Sequence, residues 1–196
     1  MPERRLAVFC GSSTGRGLVY RAAAERLAAE LVARGYGLVY GGGNVGLMGI
    51  VADAVLARGG EVIGVIPQSL VDREVAHLSL PDLRIVASMH ERKALMAELA
   101  DGFVALPGGF GTFEEFCEVV TWSQLGLHRK HCGLLNVNGY YDPLLALFDH
   151  AVGEGFLKPR NRAIVIADAD PAALLDRMAG PVPPAEAKWL RDVDET

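Results

Sequence analysis

Residues 103–125 read FVALPGGFGTFEEFCEVVTWSQL. Four apolar residues, 103–106, form a short strand that Pro107 ends. Glycines at 108, 109 and 111 form a turn, and the spacing of apolar residues predicts a helix over 112–125. The stretch is one strand–turn–helix unit with its glycines at the carboxyl end of the strand. Glycines let backbone N–H groups approach a ligand, and a helix N-terminus favours an anion, so residues 106–115 read as a phosphate-holding turn. Neither GKT nor GKS follows, which excludes a Walker A nucleotide hydrolase.

The same unit recurs along the chain. Residues 6–10 (LAVFC) are an almost wholly apolar run, as expected of a strand buried on both faces. Further strands are predicted at 37–40, 61–66, 83–87, 132–137 and 163–167, and helices at 18–34, 47–58, 89–100, 142–154 and 171–178. Strands alternating with helices predict an α/β fold: a doubly wound, mostly parallel, Rossmann-like sheet in a single domain. Residues 1–180 form the expected nucleotide-binding domain. PVPP at 181–184 breaks structure, leaving 181–196 as a proline-rich tail with a short helix and a loose end over 185–196. The glycine-rich segments all follow strands: Gly11-Ser12-Ser13, residues 41–49, and residues 108–112. In such sheets ligands sit beyond the carboxyl ends of the strands, so the three loops are expected to converge on one cleft.

Bulk properties narrow the function. An apolar fraction of 51% and a charged fraction of 22% over 196 residues suit a globular domain with a sizeable core. A net charge of −5 argues against a nucleic-acid binder. No run approaches the ~20 apolar residues of a membrane span, and the N-terminal apolar run is too short for a signal peptide. Cys10, Cys117 and Cys132 are odd in number and form no CxxC pair, so no disulfide framework or metal knuckle is expected. These features predict a cytoplasmic protein without a metal or other cofactor.

The second loop, GGGNVG at 41–46, matches GxGxxG literally. It lies on the second strand–helix unit, and the acidic residue that should end the following strand is missing, which weighs against a dinucleotide fingerprint. Three consecutive glycines exceed what a turn needs. Gly41, Gly42, Gly43 and Gly46 therefore join Ser12, Ser13 and Gly108 as expected phosphate-loop residues.

Two charged residues stand out. Thr112-Phe113-Glu114-Glu115 is a capping box in sequence, which explains Glu115 without any chemistry. Against this, the apolar face of the helix is expected to be Phe113, Phe116, Cys117 and Val120. Glu115 would then point away from it, beside Val119 and Trp122, on a second apolar patch suited to a partner subunit or a closed pocket. A carboxylate in the first helical turn would be held ionised by the helix dipole. Arg92 falls within the stripe of Met89, Met96 and Leu99, where a guanidinium needs an anion or must snorkel to the edge. Lys93 reads equally as a phosphate ligand or a solvated charge. His128 and His131 fit a solvated loop better than a metal site, Asp53 and Asp101 have no evident partner, and Glu74 alone reads as surface.

Together, PGGFGTFEE, GGGNVGLMG and MHERK resemble the Lonely Guy family of phosphoribohydrolases, whose signature is PGGxGTxxE. The resemblance runs from Cys10-Gly11-Ser12-Ser13 through TWSQLG and LLNVNGYYDPLL to GFLKP. It implies hydrolysis of the N-glycosidic bond of an N6-modified adenosine 5′-monophosphate, or of plain AMP, to free base and ribose 5-phosphate. It implies Arg92 and Glu115 as the catalytic pair. It also implies a nucleotide site lined by Glu74, Met89, Lys93, Gly109, Phe110, Gly111, Thr112, Phe113, Glu114 and Thr121, in a homodimer. Rival readings are a nucleotide or molybdopterin carrier, a lysine decarboxylase, which needs a pyridoxal-phosphate lysine, and a nicotinamide-dependent oxidoreductase.

Overall fold

The computed structural model describes residue 2, residues 4–73 and residues 76–182. Seven strands, β1 (Arg4–Phe9), β2 (Tyr36–Tyr40), β3 (Val62–Pro67), β4 (Asp82–Val86), β5 (Gly102–Ala105), β6 (His131–Leu135) and β7 (Val165–Asp168), form one sheet in the order β4-β3-β2-β1-β5-β6-β7. Every neighbouring pair is parallel. The expected doubly wound α/β domain is observed.

The helices are α1 (Val19–Ala33), α2 (Gly46–Leu56), α3 (Gln68–Val71), α4 (Met89–Leu99), α5 (Phe110–Gln124), α6 (Asp142–Gly153), α7 (Pro159–Arg162) and α8 (Pro171–Met178). Strand β1 shows why they divide between two layers. Leu6 and Val8 enter one core with Leu27, Leu31, Val51 and Leu174 of α1, α2 and α8. Ala7 and Phe9, alternating with them, enter the other with Met96 of α4 and Phe116 and Val119 of α5. An apolar run with a two-residue period feeds both faces, so it cannot lie at a solvated sheet surface.

The chain winds outward from β1 through β2 and β3 to β4, then returns to the opposite side of β1 as β5. The carboxyl ends of β1 and β5 thus lie side by side while their following segments diverge, opening a crevice at this switch point. Leu106 N–H donates to the Phe9 carbonyl at 2.9 Å, and Gly11 N–H to the Pro107 carbonyl at 3.1 Å, joining two of the glycine loops. Leu47 N–H donates to the Gly11 carbonyl at 3.0 Å, adding the third.

Most boundaries differ from the sequence expectation by one or two residues, and two differences matter. The last strand starts at Val165 rather than 163, because residues 159–162 form α7. Helix α5 begins at Phe110 with Gly109 as its N-cap, so Thr112 is its third residue and does not cap it. The predicted capping box on α5 is therefore absent. A reciprocal cap forms on α4 instead: Ser88 Oγ accepts from Glu91 N–H at 3.1 Å, and Glu91 Oε2 accepts from Ala87 N–H at 2.8 Å. The tail helix expected over 185–196 lies outside the described residues.

Because Ser88 satisfies an otherwise open N–H at the start of α4, Ser88→Ala should lower unfolding free energy by about 1 kcal/mol. Urea denaturation measures this, and an unchanged midpoint would show that the cap contributes nothing.

Candidate active site

Helices α4 and α5 lie against the same sheet face with their N-termini at the switch point. Arg92, one turn into α4, is 8% exposed, and Glu115, in the second turn of α5, is 7% exposed. Arg92 Nη2 lies 3.3 Å from Glu115 Oε1. The buried stripe of α5 is Thr112, Glu115, Phe116, Val119 and Ser123. Glu115 thus belongs to the buried face, contrary to the expectation that it points away. Phe113, Cys117 and Val120 are only half-buried. The face is rotated because Phe113 packs sideways, its ring stacked near Tyr140 at 6.4 Å and edge-on to Tyr141 at 6.3 Å.

Burial raises the Glu115 carboxyl above its ordinary value, the nearby Arg92 cation opposes the shift, and Glu114 adds to it. The expectation of a first-turn carboxylate ionised by the helix dipole gives way to a second-turn carboxylate whose charge depends on Arg92. Cys10, at the end of β1, is buried beside this pair, and desolvation pushes its thiol well up, keeping it neutral.

Two adjoining cavities open at the switch point. One, of about 270 Å³, is lined by Arg92, Glu115, Glu114 and Thr112 together with Cys10, Met48, Met89 and residues 109–111. The other, of about 440 Å³, is lined by Ser12, Ser13, Arg16 and Gly108 together with Tyr20, Leu47, Pro107 and Tyr140. Gly11, Ser12 and Gly109 border both. Between them lies the start of α5, whose first N–H groups have no partner within the helix. Gly108 permits the tight seam: a Cβ there would sit 2.1 Å from Thr112 Oγ1. Tyr140 braces the same loop, its hydroxyl donating to the Gly108 carbonyl at 2.5 Å.

The structure thus brings Arg92, Glu115, Thr112, Glu114, Met89, Gly109, Phe110, Gly111, Gly108, Ser12 and Ser13 to one crevice. It does not bring the others there. Lys93 Nζ bonds Glu114 at 2.5 Å and Glu118 at 3.0 Å. Burial works to lower its ammonium, but the two carboxylates outweigh this and hold it above its ordinary value. Phe113 faces the tyrosines. Thr121 lies on the exposed face of α5, its hydroxyl donating to the Cys117 carbonyl at 2.7 Å. Gly41, Gly42 and Gly43 are buried and line neither cavity. Gly46 packs on the Ser12–Ser13 backbone. Glu74 lies outside the described residues. Sequence reasoning missed Cys10, Tyr20, Leu47, Met48 and Tyr140 as lining residues. Only the unusual turn before Tyr140, Asn138-Gly139 with both φ positive, left a readable signal. Among the described residues no group of three or more His, Cys, Asp or Glu could hold a metal, and no helix is long and apolar enough to cross a membrane.

Residues 48–178 match the family model described as "Possible lysine decarboxylase". The chain is 52% identical over 189 residues to the rice cytokinin riboside 5′-monophosphate phosphoribohydrolase LOG, covering 96% of this chain and 78% of that protein. It is 49% identical over 180 residues to LOG1 of Arabidopsis thaliana, named for the same activity, covering 92% and 84%. Among solved structures it resembles the molybdenum cofactor binding protein of Rippkaea orientalis with a TM-score of 0.69 at 18% identity, covering 91% of this chain and 97% of that one. The Chlamydomonas reinhardtii molybdenum cofactor carrier protein gives 0.67 at 18% identity, covering 90% and 98%. At that identity the likeness concerns the fold alone.

A carboxyl whose folded pKa lies above its unfolded value binds its proton more tightly when folded, so its contribution to stability is lost as pH rises through that window. Arg92→Ala removes the opposing cation and widens the window upward from the ordinary value of 4.5. The variant should lose about 3–5 kcal/mol at neutral pH, as expected for stranding a buried charge, and recover part of it on acidification. Unfolding midpoints measured across pH check this; a deficit independent of pH would contradict it.

Proposed function

We propose one activity for this chain, which belongs to the Lonely Guy (LOG) family: it hydrolyses the N-glycosidic bond of a cytokinin riboside 5′-monophosphate. The products are the free base and ribose 5-phosphate. The observation that carries the catalytic assignment is the buried Arg92–Glu115 pair on the wall of a cavity beside an open helix start.

Cleavage passes through an oxocarbenium-like state, with positive charge on the sugar and the electron pair leaving with the base. Glu115, ionised against its burial by Arg92, stabilises that positive charge and orients the attacking water. It does so from a buried position, where solvent screens it little. Arg92 Nε is buried without a hydrogen-bond partner. The outer nitrogen Nη2 faces Glu115. The N–H groups at the start of α5, with Ser12, Ser13 and Thr112, hold the 5′-phosphate. Binding energy gathered there, away from the reacting bond, offsets the distortion of the sugar.

The same reading makes the enzyme a cytoplasmic homodimer with its sites near the interface. Thr121, which the family resemblance puts in the nucleotide site, is exposed on α5 and lines neither cavity of its own chain, so that role would come through a partner copy. The free cysteines fit a reducing compartment. A decarboxylase reading has less support. Among the described residues no lysine lines either cavity, and Lys93 is engaged by Glu114 and Glu118. A carrier would bind the nucleotide without releasing base.

Incubation with AMP and with isopentenyl-AMP, followed by chromatography, should show release of free base. Glu115→Gln should retain nucleotide binding and lose turnover by roughly 10²–10⁴-fold. Full activity in that variant would remove Glu115 from the chemistry, and binding without base release by the unaltered protein would favour the carrier.

A further inference from the structure

Gly41 follows β2 in the triple-glycine segment, yet its φ is not among the positive values of the described residues. Its backbone conformation therefore does not require glycine. Its surroundings do. A Cβ at Gly41 would lie 1.9 Å from Arg92 Nη2, 2.9 Å from Cζ and 3.4 Å from Nε. The guanidinium fills the space a side chain would occupy, and Nη2, the atom closest to that space, is the one paired with Glu115.

The segment cannot easily retreat. Gly42 accepts from His77 N–H at 2.8 Å, and Gly43 bridges Ala76 in antiparallel fashion. His77 is itself buried, with Nε2 2.9 Å from Asp53 Oδ1 on α2 and Nδ1 3.0 Å from Ser79 Oγ. A side chain at 41 would thus press on a guanidinium at the end of a flexible chain from a backbone held on its far side, so the guanidinium would move.

We infer that Gly41 is a positioning residue for the hydrolysis: its missing side chain is the slot that holds the Arg92 guanidinium against Glu115. The triple glycine then serves the reaction at its first position through Arg92 and not through phosphate. This rests on the reading of Arg92 as part of the catalytic machinery. Gly42, with φ +70° and with Ile66, Leu83 and Val65 around the place a Cβ would take, is required by its backbone and is the natural control.

The test compares Gly41→Ala, Arg92→Lys and their double variant with the unaltered protein, by base release and thermal unfolding. Gly41→Ala should fold and lose kcat on the order of 10²-fold, as for a misplaced catalytic group. KM should change less, because both cavities keep their remaining walls. The acid limb of its rate profile should move to higher pH, since Glu115 loses its cation. Lysine lacks the outer nitrogens that meet the new methyl, so the double variant should be no worse than Arg92→Lys in kcat or in unfolding midpoint. Gly42→Ala should instead lower the midpoint equally in both backgrounds. An equal Gly41→Ala penalty in both backgrounds, or a Gly41→Ala enzyme with unaltered kcat and acid limb, would overturn the inference. Arg92→Lys with unaltered kcat and KM would instead sink the catalytic reading of Arg92 itself, whatever Gly41 does.

Discussion

Placing a guanidinium and a carboxylate together out of water costs more than their attraction returns unless the surroundings hold them in good geometry. That constraint organises the crevice. Arg92 and Glu115 come from different helices, and each helix start is fixed independently. Ser88 and Glu91 cap α4 reciprocally, while α5 rises from a glycine loop braced by the Tyr140 hydroxyl. The next residue along α4, Lys93, ties the same two helices again through Glu114 and Glu118. This second link is more exposed and is worth less energetically. Its effect is to limit sliding of α4 along α5, which would part the buried pair.

Much of this was readable in the sequence because it depends on local pattern. The apolar run at 6–10 could only be a strand buried on both faces, and its alternation into two cores bears that out. Arg92 was visible as a charge in an apolar stripe, and its burial follows the helical period. The orientation of α5 was not readable. Taking Phe113, Phe116, Cys117 and Val120 as the buried face turned the helix by about one residue, roughly 100° around its axis. The true face is decided by Tyr140 and Tyr141, which draw Phe113 aside and leave Glu115 facing inward. Those tyrosines are brought there by a turn some 27 residues later in the chain, the separation of Phe113 and Tyr140, and no local window contains both.

The surroundings of Lys93 and of the triple glycine were not legible for a related reason. A lysine beside an arginine near a glycine loop looks like a phosphate ligand until the facing helix is known. The carboxylates Glu114 and Glu118 lie 21 and 25 residues away and belong to a helix whose rotation the local pattern does not fix. Glycines are equally ambiguous, since they signal that something approaches the backbone closely but not what. At residues 108–109 the approach coincides with an open helix start. At residue 41 it is a side chain from another element.

The fold by itself does not separate a hydrolase from a carrier. The cofactor-carrying structures share the fold at 18% identity, as expected when function is set by side chains placed on a common scaffold. A carrier requires a crevice at the switch point and donors for an anion, and both follow from strand order and glycine loops. Hydrolysis additionally requires a charge that answers the positive character arising on the sugar. In this chain burial works against that charge, by raising the Glu115 carboxyl, and Arg92 works for it. A carboxylate left fully in water would ionise freely but be screened. One buried alone would hold its proton. The pair sets a poorly solvated carboxylate against a cation at the wall of a cavity, and in the proposed reaction it is this balance, not the glycine loops, that would turn the crevice toward bond cleavage.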